Sequence, residues 1–178
     1  GNVMGRVVSN ATPIIYLTKI GRLSLLKETY EDALISPAIE RELTAGDYPE
    51  VPAIRDAIQE GWLEVKDLDL EASSLMKKLS EAKGLHEGEK EIIALAYTKH
   101  LPLLIDEDGR TGRHIARIWG VEVKGTLRAI VESYERGVLS YEEAKEIFHQ
   151  LLTQGFRVSA EIYNRALSLL EAARRRET

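Results

Sequence analysis

Five short apolar, β-leaning runs, at Arg6–Ser9, Ala33–Ser36, Trp62–Val65, Leu103–Asp106 and Val121–Lys124, punctuate the chain at intervals filled by residues with helical periodicity. Strand followed by helix, repeated, leaves few architectures open. Each strand must run parallel to its neighbours, and the connecting helices must cover both faces of the sheet. The pattern predicts an α/β fold: a three-layer α/β/α sandwich around a mainly parallel five-stranded sheet. Helix starts are marked by Ser36 before Pro37, an N-cap with proline in the first turn, and by Ser140 with Glu143, a capping box. The last 40 residues change character. Tyr141, Ala144, Ile147, Phe148, Leu151 and Leu152 form one apolar stripe, and Ile162, Ala166, Leu169 and Leu170 form another, joined by a turn around Gly155. A C-terminal helical hairpin is expected, dividing the chain into an α/β domain at 4–138 and an extension at 139–178.

Composition narrows the function classes. With 178 residues, 44% of them hydrophobic, the chain suffices for one domain with a substantial core and a short appendage. It contains no cysteine, which removes disulfides, thiolate metal sites and cysteine nucleophiles together and fits a reducing cytoplasm. No apolar run approaches the roughly 20 residues that span a bilayer, so no membrane association is expected. Gly1–Val3, ahead of Met4, read as preceding the natural start. Charged residues reach 30% while Asn and Gln are scarce, a pattern of heat-adapted, thermophile proteins. The net charge of −5 excludes a cationic glove for nucleic acid. A polyanion would have to meet a local patch, and Arg110, Arg113, His114 and Arg117, with Arg174–Arg176 at the tail, are the candidates.

In an open parallel sheet, ligands bind beyond the carboxyl ends of the strands where the strand order reverses. The first strand ends at Ser9 and Asn10, and the fourth at Asp106, Glu107 and Asp108. In the helix GEKEIIALA, at about 100° per residue, Glu89 projects into the stripe of Ile92, Ile93 and Ala96, whereas Glu87 and Lys90 point away. A carboxylate there needs a metal, a cation or the edge of a cleft, because burying it unpaired costs several kcal/mol. In SPAIERELT, Ile39 and Leu43 mark the inward face, and Glu40 and Glu42 lie about 80° to either side, so periodicity does not choose between them. Hard oxygen ligands without His or Cys suit Mg²⁺ or Mn²⁺ and disfavour zinc. Such ions typically serve phosphodiester hydrolysis by generating hydroxide and neutralising charge on the leaving oxygen.

VVSNATPIIYLTKIGRLSLL, ISPAIEREL, GEKEIIALA, LLIDEDGRTGRHIARIWGVEVKGTL and QGFRVSAEIYNRAL occur in the order and spacing of a prokaryotic PIN-domain subfamily, which the chain resembles over nearly its whole length. The resemblance implies strand order 3-2-1-4-5 and a metal-dependent ribonuclease, with many such proteins being VapC-like toxins of toxin–antitoxin pairs. Carried over position by position, it implies Glu42, Glu89 and Asp106 as candidate catalytic carboxylates. Together with Asn10 these would be metal ligands for Mg²⁺ or Mn²⁺, with Glu107 or Asp108 as auxiliaries and Thr12 in support. Asn10 is the departure, standing where the family usually has its first acidic residue. An amide oxygen can ligate Mg²⁺ but brings no charge, so three carboxylates would hold the ion. In the subfamily it resembles, an amide at this position is not unusual.

Duller roles exist for the same residues. Asn10 is also a suitable cap for a helix starting near Thr12, Glu89 suits a first helical turn, Glu42 a helix surface, and DEDG a plain turn. Arg110, Arg113 and Arg117, spaced by three and four, suit nucleic-acid phosphates or a solvated face equally. His86, His100, His114 and His149 are scattered without ligand spacing and read as structural. The phosphate loops G-x-x-x-x-G-K-[ST] and G-x-G-x-x-G are missing, as is a G-x-S-x-G elbow. HEGEK lacks the second histidine of a zinc protease helix, and a calcium loop starting at Asp106 would require glutamate where Arg117 stands. The expectation is therefore a cytoplasmic divalent-metal-dependent endoribonuclease with RNA as substrate. A small antitoxin protein and a second copy of the chain are its candidate partners. The alternative is a catalytically weakened PIN-like module that binds RNA or protein.

Overall fold

The computed structural model describes residues 5–177. Gly1–Val3, and Met4 and Thr178 at the outer ends of the two expected segments, lie outside the described residues. The chain runs β1 (Val7–Ser9), α1 (Ala11–Lys19), α2 (Leu25–Thr29), β2 (Ala33–Ile35), α3 (Pro37–Thr44), α4 (Val51–Glu60) and β3 (Leu63–Val65). It continues through α5 (Leu70–Leu79), α6 (Glu87–Lys99), β4 (Leu103–Leu104), α7 (Arg110–Ile118), β5 (Val123–Lys124), α8 (Thr126–Glu135), α9 (Tyr141–Thr153) and α10 (Ala160–Arg176). All five expected strands form, each shorter than its apolar run. They make one sheet of order β3-β2-β1-β4-β5, parallel throughout.

The order fixes where a ligand can go. From β1 the chain steps outward to β2 and β3, then crosses back through α5 and α6 to β4 on the other side of β1. The reversal therefore lies between β1 and β4, which pair Val8 with Leu103 and Ser9 with Leu104. Val7, Val8, Ile35 and Leu104 are fully buried because helices cover both faces of a parallel sheet. The ladder closes one residue past β1, where the Asn10 N–H donates to the Leu104 carbonyl at 2.8 Å.

The expected caps are in place. The Ser36 hydroxyl accepts from the Ile39 N–H, and Ser140 and Glu143 bond reciprocally as a capping box. The C-terminal hairpin turns at Gly155, whose φ of +84° is a left-handed conformation that glycine adopts without a Cβ penalty. The two apolar stripes are corrected at their edges. Leu152 and Leu169 are 39% and 44% exposed, while Ala173, outside the expected stripe, is buried. Ile147, Phe148, Leu151, Ala166 and Leu170 join the same buried cluster as the sheet residues, so the hairpin shares the core of the α/β layers. No helix among the described residues is long and apolar enough to cross a membrane.

Candidate metal centre

Asn10 follows β1 and Asp106 follows β4, so the strand reversal sets them side by side. The Asn10 Nδ2 donates to Asp106 Oδ1 at 3.1 Å, and the Thr12 hydroxyl donates to Oδ2 at 2.9 Å. Both oxygens of Asp106 are thus oriented by neighbours at the start of α1. Asn10 occupies the N-cap position of α1 but makes no side-chain cap bond. Its amide instead serves Asp106. That pairing turns the Asn10 Oδ1 away from Asp106, since two oxygens would repel, and leaves this buried Oδ1 without a hydrogen-bond partner. A buried acceptor with no donor is costly, and a cation is one of the few groups that satisfies it.

Glu89 lies in the first turn of α6, where the helical wheel points it inward, and its side chain is only 13% exposed. Gly112 on α7 makes room for it: a Cβ there would lie 2.6 Å from Glu89 Oε2. Glu42, on α3, lies against Gly88, with Oε1 at 2.8 Å from a Cβ built there, although its side chain is 44% exposed. Two glycines on neighbouring helices therefore admit two carboxylates. Of the pair left open on α3, Glu42 is the one whose charge feels Glu89 and Asp106. Burial is the largest influence holding its carboxyl above the ordinary glutamate range, the His86 side chain opposes it, and the charges of Asp106 and Glu89 add to it. Asp106 is raised likewise, first by burial and then by Asp108, against the hydrogen bonds from Thr12 and Asn10. Carboxylates that hold protons too tightly are those that gain most from a cation.

The donor set fits a hard divalent ion: one amide oxygen without a donor, three carboxylates in one electrostatic neighbourhood and no thiolate. Among the described residues, no three His, Asp or Glu side chains close into a finished ligand cage. The arrangement is an acidic recess that an ion would complete.

Glu107, beside Asp106, is engaged by a different element. Its two oxygens accept the N–H groups of Thr126 at 3.0 Å and Leu127 at 2.9 Å, so it caps α8. Both oxygens expected to serve as auxiliary ligands are thus engaged by backbone donors. An acidic run at a strand end looks uniform in sequence, but β4 ends at Leu104 and the chain turns at Glu107 and Asp108, so neighbours in the run meet different partners. Asp108 is exposed at the rim. His86, read from sequence as structural, has such a role, whereas sequence reasoning missed Glu91. His86 caps α6, and its Nε2 lies 3.3 Å from Glu89 Oε1. Glu91 is buried and caps α3 through the Ala38 N–H. The capping-box spacing from His86 to Glu89 was the available signal for the first; Glu91, paired across elements, left none.

The three arginines separate. Arg113 is half-buried and donates to the carbonyls of Ile105 and Asp106, bracing the end of β4. Arg110 and Arg117 are exposed and line a cleft of about 500 Å³ between α7, the start of α8 and α10, joined by Arg128 and Arg165 over an apolar floor that includes Ile162 and Leu169.

The family model described as PIN domain, DUF3368, matches residues 6–172. Among curated proteins, none matches the chain. The matching solved structures include VapBC2 from Rickettsia felis bound to a DNA fragment from its promoter, 15% identical, with a TM-score of 0.48 over 67% of this chain and 98% of that one.

Proposed function

As the chain belongs to the PIN-domain family, whose members are generally nucleases that use divalent metal ions, we propose that it is a Mg²⁺- or Mn²⁺-dependent endoribonuclease. The observation that carries this reading is the Asn10–Asp106 pair at the sheet reversal: a buried amide oxygen without a donor, beside a carboxylate whose other contacts orient it. Asn10, Glu42, Glu89 and Asp106 would hold the ion. A bound divalent ion lowers the pKa of water and offsets the charge that develops on a phosphodiester during in-line attack. The protein's own contribution is positional. Thr12 and Asn10 fix the rotamer of Asp106, Gly112 and Gly88 let α7 and α6 press against Glu89 and Glu42, and Arg113 holds the β4 turn by two carbonyls. Arg110 and Arg117, with Arg128, would carry the backbone phosphates of an RNA strand along the cleft toward Asp106.

Asn10 favours one further reading, that of a weakened module which binds RNA without cutting, because it replaces a charge by an amide. A small antitoxin protein and a second copy of the chain are the partners this proposal carries, in the cytoplasm. Incubating a mixed single-stranded RNA pool with Mn²⁺ and either the native chain or Asp106→Asn separates the readings. Cleavage by the native chain alone is the expected result, whereas RNA bound but intact with both proteins overturns catalysis and leaves the binding module.

A further inference from the structure

The segment QGFRVSAEIYNRAL crosses from α9 to α10, far in sequence from every carboxylate of the site. Its loop nonetheless reaches the site. A cavity of about 140 Å³ is walled on one side by Thr12, Tyr16 and the Asp106–Asp108 turn, and on the other by Phe156 and Arg157. The loop is fixed there by two contacts with α1: the Tyr16 hydroxyl donates to the Gly155 carbonyl at 3.2 Å, and the Tyr16 and Phe156 rings meet edge to face at 5.3 Å. Phe156 is buried, so the adjacent residue has a defined starting point. Arg157 is exposed and, among the described residues, makes no hydrogen bond or ion pair, although the cavity it lines contains Asp106 and Asp108.

We propose that Arg157 is a phosphate-positioning residue: its guanidinium binds a phosphodiester oxygen of the RNA strand at the mouth of the acidic recess. This rests on the ribonuclease reading for its substrate, but the contact is to the RNA backbone and does not require cleavage. The electrostatics demand such a group. A phosphodiester approaching Glu42, Glu89, Asp106 and Asp108 meets like charge, and among the described residues Arg157 is the one cation in the lining of the cavity. Arg113, the other guanidinium near Asp106, is engaged with carbonyls. Arginine suits the task because its planar fork matches two phosphate oxygens. The helical hairpin thereby acquires a role in the site, since it delivers the cation across the sheet reversal to α1.

Binding of a fluorescein-labelled single-stranded RNA oligonucleotide to the full chain carrying Asp106→Asn, in metal-free buffer over a range of salt, tests this without any cleavage. Adding Arg157→Ala should weaken binding roughly tenfold and lower the slope of log K against log salt by about 0.7, the value for one single-strand phosphate contact. Arg157→Lys should restore part of both, and Lys99→Ala, an exposed cation at the far end of α6, should change neither. In the active chain, Arg157→Ala should raise KM about tenfold with kcat kept. Unchanged affinity and slope overturn the proposal, as does tighter binding, which would make Arg157 a shield over the carboxylates. If the native chain cuts no RNA, the ribonuclease reading falls, while the binding slopes still decide the role of Arg157.

Discussion

A methyl group at position 112 would sit 2.6 Å from Glu89 Oε2 and 2.9 Å from the Ile105 side chain, so any larger residue there must push those two side chains aside. Gly112→Ala is expected to destabilise the fold by about 1–3 kcal/mol, the usual range for overpacking, and to displace Glu89. Chemical denaturation reads the first effect, and a weakened response to Mn²⁺ reads the second. At this scale the sequence was informative where a single element sufficed. The wheel placed Glu89 inward because α6 alone decides which way it faces. It did not separate Glu40 from Glu42, because both flank the inward face of α3 and the difference lies in what α6 brings opposite them. The partners of Glu107 were hidden for a related reason. It stands next to Asp106 in an acidic run, yet its partners are backbone N–H groups nineteen and twenty residues on, at the start of a helix that the run itself does not announce.

Elements are joined by polar contacts as well as by the core. Lys124, at the end of β5, and Glu132, on α8, form a buried ion pair at 2.9 Å, with 4% and 6% of their side chains exposed. The Tyr30 hydroxyl also donates to Glu132, and the Thr29 and Ser133 hydroxyls bond at 2.6 Å, which ties α2 to α8. Burial and the neighbouring Glu132 push the Tyr30 phenol far above its ordinary value, so it remains a donor throughout the accessible pH range. Removing one member of such a pair strands the other. Lys124→Met is expected to cost about 3–5 kcal/mol, read as a lower denaturation midpoint with an unchanged slope. Strands and helix starts were legible because apolar alternation and capping spacings are local. The Lys124–Glu132 pair was not, since a strand end and a helix have no shared periodicity.

At the scale of the whole molecule, strand order places the first and fourth strand ends together, and the hairpin, sharing the core through Phe148, Leu151 and Leu170, brings its turn to the same spot. The sequence contained the apolar stripes of that hairpin but not the direction of its turn, which depends on Tyr16 meeting Phe156. The assembled site carries excess negative charge, and this has a thermodynamic consequence. Asp106 and Glu42 have carboxyls raised in the fold above their ordinary values, chiefly by burial. For an acid raised in this way, stability is fully present below the ordinary carboxylate range and is lost as pH rises through the raised value. At pH 7.5 both charges therefore weigh against the metal-free fold, and a divalent ion or a neutral substitution relieves them. Thermal unfolding of the native chain and of Asp106→Asn at pH 7.5, each with and without Mn²⁺, tests the central claim that Asn10, Glu42, Glu89 and Asp106 form one cation site. Without metal, Asp106→Asn should melt above the native chain. With Mn²⁺ at about a hundredfold excess over its Kd, the native chain should gain about 5–10 °C and the variant should gain little. An equal gain in both proteins, or none in the native chain, would contradict the account.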